Sequence, residues 1–276
     1  MMINQINLYE ICSAVEAKIP PRSRLYQLAP IGLGTIYVES LTGYVIRLAE
    51  AHSVFTRTLT TKEILPLFHK AYLSTPKCGG TFWSKNAPAL NGLSNWARDW
   101  VAVLEALTLR IDLRFLTMLR YADVLPARGL LRRTQAWCPA CYEDWRLAKS
   151  SVYQPLLWNL EVVTTCSIHH KRLHLSCPHE DCHRTVPISH PRSRTGHCPH
   201  CGRWLGFPLA EKAHEDESLT EAELNWQDWV VNAVGELLVA DPGLGALPQR
   251  EKIAANFFRL VKQIGQGNRN KLARNL

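Results

Sequence analysis

The chain has 276 residues, 46% of them apolar and 20% charged, with a formal net charge of +8. These values exclude an intrinsically disordered chain and provide for one large core or two to three small ones. The longest greasy stretches, "WVAVLEALTLRIDLRFLTMLRY" and "DWVVNAVGELLVAD", are interrupted by Asp, Glu and Arg, so no membrane span is expected.

The first twenty residues, "MMINQINLYEICSAVEAKIP", show neither the basic n-region nor the continuous apolar h-region of a secretory signal. In "ESLTGYVIRLAEAHSV", Ser40 is positioned to cap a helix that turns Leu41, Tyr44, Val45, Leu48 and Ala49 inward. A second helix is expected from Thr60 or Thr61 through "TTKEILPLFHKAYL", with Pro66 leaving its boundary open. Ser94 opens a third, in which Trp96, Trp100, Leu104 and Leu107 share one face. That common face marks the tryptophans as core rather than as base-stacking platforms. A shorter helix through "DLRFLTMLRYADVL" precedes Pro126.

From residue 138 to about 204 the composition shifts to Cys, His, Pro and Trp, which cannot build an ordinary core without a further cross-link. Seven of the nine cysteines and eight of the eleven histidines lie between 138 and 201, while Cys12 and Cys78 read as isolated buried thiols. In a reducing compartment, clustered thiols bind metal more readily than they pair as disulfides. The candidate ligands come in four pairs at knuckle spacing: Cys138 with Cys141, Cys166 with His169, Cys177 with Cys182, and Cys198 with Cys201. Four pairs make two structural zinc sites. Consecutive pairing closes loops of 24 and 15 residues, shorter than those of a cross-braced alternative that the spacing also permits. With seven thiolates set against two dications the net charge falls by three, to about +5.

Beyond a polar linker, "SLTE" at 218–221 reads as a capping box for a helix that faces Trp226, Trp229, Val230, Val234 and Leu237 inward. A last helix is expected over 248–264. Residues 1–130 therefore read as a helical N-terminal region, 131–210 as a tandem zinc-ribbon module and 211–276 as C-terminal helices. The fold class is mainly α with small zinc-ribbon β elements.

One segment carries a competing chemistry. "HEDCH" at 179–183 matches HExxH, the metalloprotease pattern in which two imidazoles and a glutamate share a helix face around an open zinc. Pro178 before it and Cys182 inside it argue instead for a tight knuckle, and a shell of four thiolates leaves no position for water. No phosphate-binding loop, nucleophile elbow or complete dinucleotide fingerprint is present. No catalytic residue is expected.

The ordered set "ESLTGYVIRLAEAH", "LNGLSNWARDWVAVLEALT", "FLTMLRYADVLPARGLL", "WCPACYEDW", "CSIHHKRLHLSCPHEDC" and "CPHCGRWL" resembles the TniQ family, which includes TnsD, over about residues 28–206. The resemblance implies a non-catalytic target-selection adaptor of a bacterial transposon, acting in the cytoplasm. Such an adaptor recognises target DNA, or a CRISPR effector with its guide RNA, and recruits an AAA+ ATPase of the TnsC type. It also supports the consecutive zinc pairing. The ending "GNRNKLARNL" looks like the opening of a helix-turn-helix segment, but a recognition helix needs roughly twenty more residues. The shorter TniQ proteins of CRISPR-associated transposons are accordingly the better fit, with an autonomous sequence-specific DNA-binding protein as the alternative reading. Arg132, Arg133, Lys171, Arg172, Arg192 and Arg194 flank the ligands and are the candidates for phosphate contact. The C-terminal helices offer surfaces for homodimerisation or partner docking.

Overall fold

Helix α1, Leu41–Ala51, begins where Ser40 leaves the extended conformation and its Oγ accepts a hydrogen bond from the Gly43 amide at 3.1 Å. Eight of its residues are buried, including Thr42, Gly43 and Ile46, which the one-face pattern left outside. A helix buried nearly all round is a central element rather than a surface one. The structure, a computed structural model, describes residues 21–68, 86–207, 219–240, 249–252 and 255. The expected thiols Cys12 and Cys78, the linker after residue 210 and most of the last helix lie outside these residues.

After α1 the chain forms a four-residue α turn, Thr56–Leu59, then a π turn, Thr60–Ile64, then a 3-10 turn, Leu65–Leu67. Pro66 explains the change of winding. It donates no backbone hydrogen bond, and its ring clashes with the carbonyl four residues back, so a regular α-helix cannot pass through it. Helix α2, Asn95–Thr108, starts on Ser94, whose Oγ accepts from the Ala97 amide at 3.3 Å. Trp100, Leu104 and Leu107 of its stripe are buried, and Trp96 packs partly buried against the same core.

The expected helix over 112–125 is instead two 3-10 turns, Leu113–Leu116 and Leu119–Tyr121, separated by Thr117 in an extended conformation. Asp112 does not cap the first, because Arg110 holds its carboxylate through Nε at 2.9 Å. Thr117 takes over the local backbone: its hydroxyl donates to the Arg114 carbonyl at 2.8 Å and accepts from the Leu119 amide at 3.2 Å.

Helix α3, Pro139–Leu147, and helix α4, Glu221–Ala240, follow, with 3-10 turns at Ala87–Asn91 and Leu156–Asn159 and helical residues again at 250–252 and 255; among the described residues extended pairing is limited to isolated antiparallel bridges. The chain is thus mainly helical with few β contacts. None of the described helices is long and apolar enough to cross a membrane.

Helix α4 departs from its sequence reading twice. Its capping box is Thr220 with Glu223: the Thr220 amide donates to Glu223 Oε2 at 2.9 Å, and the Glu223 amide donates back to Thr220 Oγ1 at 3.3 Å. Its inward face is Gln227, Val230, Val231, Gly235 and Leu238, leaving Trp226 and Trp229 59% and 61% exposed. Two contacts set this rotation. Gln227 accepts from the Thr164 amide at 2.9 Å, and a Cβ on Gly235 would come within 2.6 Å of Ile36 Cγ2, so only glycine allows the approach.

A buried polar network ties these parts together. Asn91 accepts from the Thr42 amide at 3.0 Å and donates to Thr42 Oγ1 at 2.9 Å and to Asn159 Oδ1 at 3.1 Å. Asn159 in turn donates to the Pro155 carbonyl at 3.0 Å. Nearby, Arg47 forks onto the fully buried Glu39 at 2.8 and 2.7 Å. Burial pushes the Glu39 carboxyl up from its ordinary range, and the Arg47 guanidinium opposes that shift. Replacing Asn91 by Ala strands the Thr42 amide and the Asn159 carbonyl oxygen in the interior, and urea denaturation is expected to register a loss of about 2 kcal/mol. An unchanged midpoint would show that water substitutes for the amide.

Candidate metal centres

The first centre is built on the N-terminus of α3. Cys138 is the residue before the helix and Pro139 its first member, so the helix starts abruptly and Cys141 follows one turn on. The opposing half is a tight turn in which the Cys166 amide donates to the Lys171 carbonyl and the His170 amide to the Cys166 carbonyl, both at 2.8 Å. His170 takes a left-handed conformation, φ 51°, to reverse the chain. An antiparallel bridge between Trp137 and His174 brings the halves into register.

The four donor atoms of Cys138, Cys141, Cys166 and His169 lie within 4.8 Å of one another. His169 Nδ1 is 3.4 Å from Cys138 Sγ and 3.3 Å from Cys141 Sγ, and Cys141 Sγ is 3.5 Å from Cys166 Sγ. Around a tetrahedral zinc, with Zn–S near 2.3 Å and Zn–N near 2.0 Å, neighbouring donors stand about 3.5–3.8 Å apart. The set fits that shell. The far nitrogen of His169, Nε2, lies 3.0 Å from Asp144 Oδ2. A carboxylate there fixes the tautomer with its proton on Nε2 and directs the Nδ1 lone pair into the cluster.

The second centre joins two knuckles. The Cys177 amide donates to the Arg184 carbonyl at 2.9 Å, and the Cys198 amide to the Arg203 carbonyl at 2.9 Å. The sulfurs of Cys177, Cys182, Cys198 and Cys201 again fall within 4.8 Å, with 3.7 Å from Cys177 to Cys201 and 3.9 Å from Cys182 to Cys198. Burial, followed by the crowding of the other three sulfurs, pushes the Cys177 thiol up from its ordinary value. A cation at the centre reverses that logic and holds coordinating thiols deprotonated. Both clusters could therefore hold a metal ion, and the donors gather as the consecutive pairing expected.

Residues 179–183 form a turn, not a helix. His179 Nε2 faces the Trp204 carbonyl at 2.8 Å, while Glu180 and His183 are exposed. The HExxH spacing therefore converges on no common site.

Two tryptophans connect the centres. Trp204 Nε1 donates to Glu143 Oε2 on α3 at 3.0 Å, and Trp137 Nε1 donates to the Leu205 carbonyl at 3.2 Å. Arg146 beside it, reinforced by Trp204, holds the Glu143 carboxyl below the usual carboxylate range. A Cβ on Gly196 would sit 2.2 Å from the Trp204 ring, so that residue must stay glycine. Sequence reasoning missed Asp144, Glu143 and both indole contacts. Only Asp144 carried a signal, lying one helical turn beyond Cys141.

Of the six basic candidates, Arg132 is turned inward. It donates to the carbonyls of Glu161 and Val163, and burial lowers its pKa. It ties two loops together and is half-buried. Arg172 lies 3.3 Å from Glu223 and Arg194 lies 3.8 Å from Glu50. Arg133, Lys171 and Arg192 are exposed.

The family model described as TniQ matches residues 30–173, more than half of the chain. The match takes in the whole first centre and ends before Cys177. No curated protein matches the chain.

Elemental analysis of the purified protein is expected to find two metal ions per chain, and one in Cys177→Ser, with release on acidification as the donors gain protons. Asp144→Asn is expected to keep the metal but weaken the first centre roughly 10–100-fold in a chelator competition. Glu180→Gln should alter neither count nor affinity.

Proposed function

The chain belongs to the TniQ family, and from that premise we propose that it is a zinc-containing adaptor linking a target-recognition complex to an AAA+ ATPase of the TnsC type. Family membership makes it a non-catalytic protein of transposition. The observation that carries the adaptor reading further is that both clusters offer four donors, a complete tetrahedral set. Sites of that kind fix loops in space; they do not activate water. Four thiolates, or three thiolates and an imidazole, suit zinc best.

On this reading, the target-recognition side is a CRISPR effector with its guide RNA, or target DNA itself. The rigid knuckles present Arg133, Lys171 and Arg192 to phosphates. Arg172 and Arg194 contribute less, because Glu223 and Glu50 already face them.

The test has two arms. Sedimentation of the chain with a TnsC-type ATPase is expected to show co-assembly, and its absence would remove the adaptor reading. DNA binding by the isolated chain is expected to be weak and strongly salt-dependent, with each of Arg133→Ala, Lys171→Ala and Arg192→Ala reducing the salt slope by about one. Tight, sequence-selective binding by the chain alone would favour an autonomous DNA-binding protein.

A further inference from the structure

Helix α4 carries four acidic side chains, Glu221, Glu223, Asp228 and Glu236, and neither Lys nor Arg, in a chain whose net charge is +8. Its outward face is thus opposite in sign to the molecule as a whole. That same face exposes Trp226 and Trp229, 59% and 61% accessible, stacked on each other with ring centroids 5.0 Å apart and planes 22° from parallel. The core does not require either indole, because Gln227, Val230, Val231, Gly235 and Leu238 already fill the buried side. Val239 adds further exposed apolar surface toward the end of the helix.

Paired, exposed indoles are the residue type most enriched at the energetic centres of protein interfaces. Carboxylates around them select the charge of what docks. A cation of the chain itself shows the preference, Arg172 lying 3.3 Å from Glu223, and the His170 ring lies 3.7 Å from Asp228. A guanidinium can stack on an indole face while reaching a neighbouring carboxylate, whereas a polyanion would meet like charge along the whole helix.

We propose that the Trp226–Trp229 face of α4 is a docking surface for an arginine-bearing segment of a protein partner, and that it is not part of the nucleic-acid surface. The proposal deepens the adaptor reading by naming the surface and the chemistry of one partner.

The experiment titrates the full chain with a short synthetic peptide in which Arg alternates with Leu, with the same peptide carrying Glu in place of Arg, and with oligothymidine. Hydrogen exchange locates each contact. The Arg peptide is expected to protect α4 and to bind less well as salt rises. W226A/W229A should weaken it roughly tenfold or more, and E223Q/D228N should weaken it and flatten the salt dependence, with Gln able to keep the capping bond. Circular dichroism of both double variants checks that the fold is kept. Equal affinity for wild type and W226A/W229A, protection confined to another face, or protection of α4 by oligothymidine or the Glu peptide would each overturn the proposal. So would a dimer of the wild type that W226A/W229A dissociates with no effect on the Arg peptide, which would assign the face to a second copy. ATPase co-assembly measured on the same proteins separates the two readings. Its loss in the wild type with peptide binding intact removes the adaptor role alone, and the reverse removes this docking surface alone.

Discussion

Sulfur atoms held 3.5–3.9 Å apart in two clusters, the first buried and the second half-buried, are a constraint that the remainder of the fold must satisfy. Left as thiols, they lose hydration and gain little from each other; ionised without a counter-charge, they repel at short range in a medium that screens poorly. A central cation would resolve both problems at once. It would also explain how residues 138–201 hold their shape with one α-helix of nine residues, the 3-10 turn Leu156–Asn159 and a set of isolated bridges. Each knuckle needs only local turns, since the long-range closure is left to the ligand set.

The two centres are not beads on a string. Trp204 and Trp137 carry hydrogen bonds from the neighbourhood of one centre to the other, and Cys138, Cys141, Cys166, Cys177 and Cys198 belong to the same hydrophobic core as Leu41, Trp100 and Val231. The loop before Cys198 is anchored further afield. Glu50 at the end of α1 accepts from both the amide and the hydroxyl of Thr195, and Thr56 donates to the Ser193 carbonyl. The position of the second cluster is thus set by the N-terminal helices as well as by its own ligands.

Much of this was legible in the sequence because the signals are local. Ser40 and Ser94 each cap within three residues, and the knuckle pairs have two or four residues between them. The misreadings arise where a side chain or backbone position is already claimed by a contact that the pattern ignores. Asp112 is a good cap by type, but Arg110 occupies it, and the helix over 112–125 divides into two turns. In α4, hydrophobicity alone turns Trp226 and Trp229 inward. Gln227 and Gly235, which a hydrophobic pattern ignores, set the phase through a hydrogen bond and a close approach. Arg132 was read by its charge, although its neighbours offer two carbonyls and a half-buried site. Composition names a residue's chemistry; only the fold says whether that chemistry is already engaged.

The tie between Glu50 and Thr195 spans 145 positions of the chain. At a synthesis rate of roughly 5–20 residues per second, α1 leaves the ribosome some 7–30 s before the loop that covers its end has been made. During that interval a helix with eight residues destined for the interior has only its nearer neighbours for shelter. The donor set of the second cluster is completed later still, since Cys198 and Cys201 follow Thr195. The contact that covers the end of α1 therefore forms late, and the helix stays open to misassociation until the Thr195 loop has been translated.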